Sequence, residues 1–242
     1  MKFLEIKNLH VEVEGKKILN GINLELEKGK VIALMGPNGS GKTTLSNVLM
    51  GHPKYKITKG KILLNRKNIS KLPVNKRAEL GLFLSFQQPQ EIEGVNVLKF
   101  LKQAYNSIKK KQLMTFEFQD LLDEKAELLK IDQDFLERQI NRGFSGGEKK
   151  KLEILQLLTL DPKLAILDET DSGLDIDALK IVSKGIKKFM KKDKSVIIIT
   201  HHQKILDYIK PDKVYILKKG QIIKEGKKSL IKEIEKKGYN SL

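Results

Sequence analysis

The 242-residue sequence contains no cysteine. The chain therefore cannot form a disulfide, hold zinc through thiolates, or ligate an iron–sulfur cluster through sulfur of its own. It also lacks any apolar run close to the roughly 18–20 residues that a membrane-spanning helix needs. Its N-terminus alternates like a strand and has neither the apolar block nor the cleavage site of a signal peptide. These absences predict a cytoplasmic chain without direct membrane insertion.

Aromatic residues are few, at 6% of the chain, whereas lysine is abundant and the formal net charge is +17. A charge of this size suggests binding to nucleic acid or to a membrane surface. The two lysine runs, at residues 109–111 and 149–151, are not interleaved with aromatic residues as in a strand-binding groove. We therefore favour a lysine-rich solvated surface and predict no specific nucleic-acid partner.

The most informative stretch, residues 36–43, fits the phosphate-binding pattern G-x-x-x-x-G-K-[ST] at every fixed position. The apolar run at residues 31–35 predicts a buried strand that leads into this loop. Its glycines allow successive N–H groups to face one anion, and a helix starting near Lys42 directs its dipole at the same point. We expect Lys42 to meet the β- and γ-phosphates of ATP and Thr43 to hold Mg²⁺. The predicted nucleotide-binding residues of this loop are Gly36, Pro37, Asn38, Gly39, Ser40, Gly41, Lys42, Thr43 and Thr44.

The pattern of apolar residues along the chain predicts an α/β fold. Alternation over the first 30 residues indicates an N-terminal antiparallel β subdomain. Strands and helices then alternate, which is typical of a mostly parallel sheet with its site at the strand ends. Further strands are predicted at residues 31–35, 61–64, 82–86, 164–167 and 196–199, and a hairpin at residues 214–223. Asp175 is predicted to cap a helix whose core face carries Ile176, Leu179, Val182, Ile186 and Phe189.

Apolar residues recur at helical spacing between about residues 95 and 139, where the strand patterns stop. This change predicts a helical subdomain inserted into the α/β core. We therefore expect a single domain over residues 1–242. Its nucleotide-binding core would span about residues 1–90 and 143–242, and its helical subdomain about residues 91–142.

Two acidic residues, Asp168 and Glu169, follow the apolar run at residues 164–167. At the end of a strand, the Asp168 carboxylate can reach Mg²⁺ or its water ligands. We expect Glu169 to point in a different direction because side chains alternate along a strand. That direction suits Glu169 to orient or deprotonate the water that attacks ATP. With the phosphate loop, this pair predicts Mg²⁺-dependent ATP hydrolysis.

The stretch Ser145–Gly146–Gly147 is a second candidate for anion binding, at the predicted start of a helix. The phosphate loop already covers one side of the triphosphate, so we expect this stretch to bind the opposite side. In a two-fold dimer, each copy would then offer Ser145, Gly146 and Gly147 to the ATP of the other copy. An ordinary serine helix cap is the simpler alternative.

The order of these motifs resembles that of the ATP-binding cassette (ABC) ATPases: phosphate loop, glutamine loop, signature, acidic strand end, D-loop and switch histidine. The resemblance implies that Gln87 senses Mg²⁺ and the attacking water, and that His201 contacts the γ-phosphate. It also implies that Ser145, Gly146 and Gly147 form the signature that acts in trans, and that residues 172–175 form the D-loop. The expected catalytic residues are Glu169, His201, Gln87 and Lys42, and the expected Mg²⁺ ligands are Thr43, Gln87 and Asp168.

Two other residue assignments stay open beside this resemblance, and the sequence departs from the family pattern at two positions. Gln88 is a weaker candidate for the role of Gln87. A metal pair of His201 and His202 is disfavoured, because neighbours at a strand end point apart. Residues 11–15 lack the aromatic that stacks on adenine in most cassettes, so Val13 could offer only apolar contact. Thr170 follows Glu169 where many transporter cassettes have proline.

Four longer stretches are similar to one subfamily, the SufC ATPase of iron–sulfur cluster assembly: residues 87–95, 143–150, 168–179 and 202–212. This similarity implies an ATPase that drives conformational change in SufB- and SufD-like scaffold subunits, as an ATP-dependent head-to-tail homodimer. The absence of cysteine agrees, because the cluster would then be bound by the partner. The main alternative is the ATP-binding subunit of an ABC membrane transporter. A DNA-repair cassette or a nucleotide sensor without hydrolysis is less consistent with the motifs.

Overall fold

The computed structural model describes residues 2–87, 89–200 and 203–239. The predicted switch residue His201, together with His202 and Gln88, lies outside the described residues. In chain order the elements are β1 (Lys2–Val13), β2 (Lys16–Glu27), β3 (Val31–Met35), α1 (Lys42–Met50), β4 (Tyr55–Leu64), β5 (Lys67–Asn68), α2 (Val74–Glu79), β6 (Leu82–Ser85), α3 (Val97–Lys109), α4 (Thr115–Leu128), α5 (Gln133–Glu137), α6 (Gly146–Leu160), β7 (Leu164–Asp168), α7 (Ile176–Phe189), β8 (Ser195–Ile199), α8 (Gln203–Tyr208), β9 (Lys213–Lys218), β10 (Gln221–Gly226) and α9 (Ser229–Lys237).

The chain forms two compact units. The core unit comprises Met1–Leu84, Lys163–Glu169 and Met190–Leu242, and the helical unit comprises Ser85–Pro162 and Thr170–Phe189. This division groups α6 and α7 with the inserted helices, whereas the sequence pattern assigns them to the core. The domain boundaries given above therefore stay a prediction. No helix in the described ranges combines the length and apolar character needed to cross a membrane.

The core unit is built on two sheets, as the sequence pattern predicts. The first has the strand order β2-β1-β4-β5, and its pairs are antiparallel. The second has the order β10-β9-β3-β8-β7-β6, in which β3 runs parallel to β8 and β9, and β7 runs parallel to β8. Strands β3, β7 and β8 are buried along their whole length, which is typical of parallel strands covered on both faces.

Strand β4 begins earlier than the sequence predicted, at Tyr55 rather than Lys61, and it passes through Gly60. The cause lies in the neighbouring strand, where the β1 register shifts near Asn8, a residue with φ of 46°. A Cβ at position 60 would lie 2.2 Å from the Asn8 carbonyl oxygen. Gly60 is therefore a point of close backbone approach inside the strand rather than its start.

In the helical unit, α6 and α7 pack closely, because a Cβ on Gly185 would lie 2.4 Å from Cγ2 of Ile154. Asp175 caps α7 as predicted: its Oδ1 accepts from Ala178 N at 2.7 Å. The prediction for Ile176 was wrong, since this residue is 63% exposed while the other four predicted apolar positions of α7 are buried. A Cβ at Gly147, near the start of α6, would lie 3.8 Å from the Ala178 Cβ, so this glycine faces the first turn of α7.

The expectation of a uniformly solvated lysine surface also needs a correction. Lys150, in the middle of the second lysine run, is 6% exposed. Its ammonium pairs with Glu153 Oε2 at 3.1 Å, and the same oxygen accepts a hydrogen bond from Ser85 Oγ at 2.9 Å. A buried lysine needs such a partner, because an isolated buried charge is strongly unfavourable.

Candidate nucleotide-binding site

The phosphate loop connects β3 to α1, as the sequence predicts. Gly41 stands at the N-cap of α1 with φ of 106°, and no side chain caps this helix end. A Cβ on Gly41 would lie 2.7 Å from Cδ2 of Leu19, so a side chain is disfavoured by both backbone angle and space. Among the described residues, the amides of Gly39, Gly41, Lys42 and Thr43 have no hydrogen-bond acceptor. Several N–H groups at one helix start are thus available to an anion.

Lys42 is almost completely buried, with 6% exposure. Its Nζ donates to the carbonyl oxygens of Gly36 and Pro37 at 2.9 and 3.0 Å, so the ammonium lies across the start of its own loop. Burial lowers the pKa of Lys42 below its usual value, while the nearby charges of Glu169 and Asp168 act in the opposite direction. The side chain is therefore held by its own loop and lies close to Glu169 and to Asp168, the last residue of β7.

The turn of the β9–β10 hairpin is hydrogen-bonded to the phosphate loop. Gly220 N donates to the Ser40 carbonyl at 2.9 Å, and the Gly220 carbonyl accepts from Asn20 N at 2.8 Å. A Cβ at position 220 would lie 2.0 Å from the Ile18 carbonyl oxygen. Lys219 and Gly220 both have positive φ, as a two-residue hairpin turn requires. The sequence pattern gave the hairpin but no indication that its turn contacts the loop.

Asp168 ends β7 and is 2% exposed. Its Oδ2 accepts from Ser46 Oγ at 2.8 Å, and its buried Oδ1 has no hydrogen-bond partner in the described part of the chain. Burial raises the pKa of this carboxyl, and hydrogen bonding by Ser46 and Thr43 partly offsets the increase. A buried, incompletely satisfied carboxylate next to a threonine hydroxyl fits a Mg²⁺ site, because Mg²⁺ takes oxygen ligands and uses few from the protein.

Glu169 lies outside β7, so the reason given above for its orientation was wrong. The residue has φ of 50°, and its N–H donates to the Ile199 carbonyl at 2.8 Å. The chain therefore leaves the extended conformation of β7 at Glu169, so the alternation of side chains along a strand does not apply to this residue. Its charge raises the pKa values of both Lys42 and Asp168, which places its half-buried carboxylate near the loop.

Two residues that border this site, Ser46 and Tyr239, were not predicted from the sequence. Ser46 binds Asp168 and could have been found, because it lies three residues after Thr43 on the same face of α1. Tyr239 could not, since nothing local marks it. Its phenol is buried next to the Gly36 backbone, and its carbonyl accepts from Lys218 Nζ at 3.0 Å. Burial raises the pKa of Tyr239.

The predicted signature opens α6 in the helical unit. Ser145 Oγ accepts from Glu148 N at 3.2 Å, and Glu148 Oε2 accepts from Ser145 N at 2.7 Å, which is a complete capping box. The Arg138 Nη1 donates a further hydrogen bond to Glu148 Oε1 at 2.5 Å. The amides of Gly146 and Gly147 have no acceptor among the described residues. Since the Ser145 hydroxyl only accepts in the cap, its own hydrogen can still be donated to an anion.

The structure thus brings Lys42, Thr43, Asp168 and Glu169 together within the core unit. Gln87 and Ser145 belong to the helical unit, where Gln87 is exposed. The buried β3 strand, the loop with free amides and the acidic residues at the end of β7 define a phosphate-loop nucleoside triphosphatase.

A comparison with protein families identifies the particular group. The model of the ABC transporter family matches residues 19–172, and the chain belongs to this family. It is 50% identical to a probable ATP-dependent transporter of Cyanophora paradoxa, over 100% of this chain and 95% of that protein. It is 52% identical to a probable ABC transporter ATP-binding protein of Streptococcus pyogenes serotype M18, over 99% of this chain and 94% of that protein.

A solved structure supports the same fold. The dimeric ATP-binding cassette MJ0796, bound to ADP and Pi, matches with a TM-score of 0.82 at 21% identity, over 93% of this chain and 98% of that chain. The chain is therefore an ABC ATPase, an enzyme that binds and hydrolyses ATP.

Proposed function

We propose that the chain hydrolyses Mg·ATP as one half of a head-to-tail pair of cassettes. The observation that carries this proposal is that two separate helix starts, one in each unit, have backbone amides without an acceptor among the described residues: Lys42 and Thr43 in α1, and Gly146 and Gly147 in α6, where the Glu148 carboxylate binds only Ser145 N and Arg138. Each phosphate loop would take ATP from one side, and Ser145, Gly146 and Gly147 of the second copy would bind the γ-phosphate from the other. The dimeric state of MJ0796 in its solved structure supports this arrangement.

Within each proposed site, the charge and hydrogen-bonding groups of each residue suit it to a separate role. Lys42 and the loop amides bind the β- and γ-phosphates and balance the negative charge that develops on them. Thr43 and Asp168 would hold Mg²⁺, which would supply positive charge to stabilise the negative charge of the phosphates. Glu169 accepts the proton of the attacking water, with Gln87 and His201 helping to position that water.

The decisive test is Glu169→Gln. Loss of the proton acceptor should slow ATP hydrolysis by about 100-fold or more, whereas ATP affinity should stay within about twofold of the wild type. The variant should also accumulate as an ATP-bound dimer, measured by size-exclusion chromatography with light scattering. The matched control is Glu127→Gln, an exposed carboxylate in α4. Hydrolysis by Glu169→Gln at the rate of this control would disprove the role of Glu169.

The names of the relatives favour one partner, the membrane subunit of an ABC transporter. Both relatives described above are named as ATP-dependent transporters or their ATP-binding proteins, and they match this chain over nearly its full length. On this proposal, the chain supplies the mechanical step of transport and the partner forms the path through the membrane.

A second candidate partner is an iron–sulfur cluster scaffold of the SufB and SufD type. Two observations support it: the similarity of residues 87–95, 143–150, 168–179 and 202–212 to SufC, and the absence of cysteine. Purification of the chain with its native partners separates the two candidates. A partner with membrane-spanning helices supports the transporter, and a partner that binds an iron–sulfur cluster supports the scaffold.

A further inference from the structure

A cleft separate from the phosphate loop lies in the core unit, where β4, the segment before α2 and the C-terminal end of α1 meet. Its volume is about 450 Å³, which is within the usual range of small-molecule sites. The charged side chains that line it are all basic. The lining residues are Val48, Gly51, His52, Pro53, Tyr55, Ile57, Thr58, Lys59, Gly60, Asn68, Ser70, Lys71, Leu72, Pro73 and Arg77.

Arg77 is the buried centre of this cleft, with 1% exposure. Its guanidinium donates to the carbonyl oxygens of Leu72, Val48, Leu49 and Ser70 at 2.7–2.9 Å. These bonds use four of the five N–H groups of an arginine, and the fifth has no acceptor among the described residues.

Arg77 also lacks a counter-ion. No described carboxylate pairs with it, and burial alone lowers its pKa to about 10. Two of its four acceptors are the Val48 and Leu49 carbonyl oxygens in the last turn of α1, whose partial negative charge offsets part of the buried positive charge. None of the four acceptors carries a full negative charge, and a buried cation without an anionic partner is unfavourable. An anion in the cleft would supply the missing charge.

Four further side chains of the cleft have donor groups without an acceptor among the described residues: Lys59, Lys71, Asn68 and His52. Lys59 and Lys71 form no ion pair with any residue that the structure describes. Asn68 Oδ1 accepts from Ser70 N at 3.0 Å, which leaves the amide hydrogens of Asn68 for another acceptor. His52 Nδ1 accepts from Lys54 N at 3.2 Å, so the hydrogen of the neutral ring is on Nε2.

We propose that this cleft binds a phosphate-bearing small molecule at a site separate from the phosphate loop. A phosphate group offers three acceptor oxygens and more than one negative charge, which matches several donors and cations better than a carboxylate does. The apolar edges of Tyr55, Pro53 and Pro73 border the same cleft and give room for an uncharged part of the ligand.

Titration calorimetry with pyrophosphate tests this assignment on the full chain. The wild type should bind two equivalents, one in the phosphate loop and one in the cleft. Lys59→Gln/Lys71→Gln should weaken the second binding event by about tenfold or more and leave the first unchanged. ATP hydrolysis by this double variant should match the wild type, because neither lysine belongs to the catalytic site. Arg77 is left intact, since its replacement would also release the end of α1.

The matched control is Lys61→Gln/Lys67→Gln, which removes the same charge from exposed positions of β4 and β5 outside the cleft. It should retain two binding events. Equal affinity of the two double variants overturns the proposal, as does loss of all pyrophosphate binding in Lys42→Ala. One remaining event in Lys42→Ala supports the cleft. Two unchanged pyrophosphate-binding events in Lys42→Ala would count against the assignment of the phosphate loop as one of the two sites, and would agree with the assignment of the cleft.

Discussion

The phosphate loop and the start of α6 both expose backbone N–H groups, and both depend on glycine, but they use it for different physical reasons. In the loop, Gly41 has φ of 106° and its missing Cβ leaves room for Leu19. At the start of α6, Gly146 and Gly147 have no positive φ, and their nearest neighbours would lie 4.0 and 3.8 Å from an added Cβ. Glycine is needed for the backbone conformation and packing of the phosphate loop. At the start of α6 it leaves the N–H groups uncovered by side chains.

The largest effect that tests this comparison is expected for Gly41→Ala. Backbone strain and overlap with Leu19 should together lower the free energy of unfolding by about 3 kcal/mol. ATP affinity should fall by about 100-fold or more, because the amides no longer converge. Urea unfolding and nucleotide titration measure the two effects. Gly39→Ala is the control for strain without overlap, since its φ is 73° and no atom lies within 4 Å.

Ser145→Asp separates the helix cap from anion binding. Aspartate is as good an N-cap as serine, so the free energy of unfolding should change by less than about 0.5 kcal/mol. On the proposed head-to-tail pairing, the variant loses the hydroxyl donor and adds a negative charge next to the γ-phosphate bound by the other copy, so hydrolysis should fall by about 100-fold. Steady-state ATPase assays above the ATP concentration that saturates the wild type measure this loss. Full activity would mean that Ser145 only caps α6.

Gly147→Ala should act on stability in the direction opposite to Gly41→Ala. Alanine favours a helix over glycine, so the free energy of unfolding should rise by up to about 1 kcal/mol. Hydrolysis should nevertheless fall by about tenfold if a second copy approaches this surface, since the methyl group occupies the contact. A variant that is less stable than the wild type would show that Gly147 shapes the chain as Gly41 does.

The smallest effect is expected for Asp168→Asn, which removes the carboxylate beside the phosphate loop. Burial raises the pKa of Asp168 above its ordinary value of 3.8. The folded state therefore binds this proton more tightly than the unfolded state, and ionisation lowers stability as pH rises from about 3.8 through the raised pKa. Asp168→Asn cannot ionise, so its stability relative to the wild type should increase across that window and then stay constant. Urea unfolding without nucleotide between pH 3.5 and 7 measures the difference, and a constant difference would contradict the prediction.

The elements that could be predicted from sequence are those with a local cause. The β3 strand, its loop and α1 follow from an apolar run, glycine spacing and a lysine that are adjacent in the chain. The hairpin and the α7 cap at Asp175 follow for the same reason. ATP hydrolysis was predicted because these motifs occur in a fixed order.

The features that sequence analysis missed depend on contacts between distant residues. Gly220 supports Ser40 from 180 positions away, and Tyr239 reaches Gly36 from the far end of the chain. The turn at Glu169 is accompanied by a hydrogen bond from its N–H to the Ile199 carbonyl, 30 positions away. No periodicity within a short window contains this information.

The bond from Gly220 to Ser40 has a practical consequence for anyone who labels or extends this protein. A two-residue hairpin turn is ordinarily a good place for an inserted tag or a fluorophore, because changes there rarely reach the interior. In this chain an extra residue between β9 and β10 would withdraw the donor that fixes the middle of the loop. Labels intended to be silent belong at other surface positions, and an insertion at this turn would report on nucleotide affinity instead.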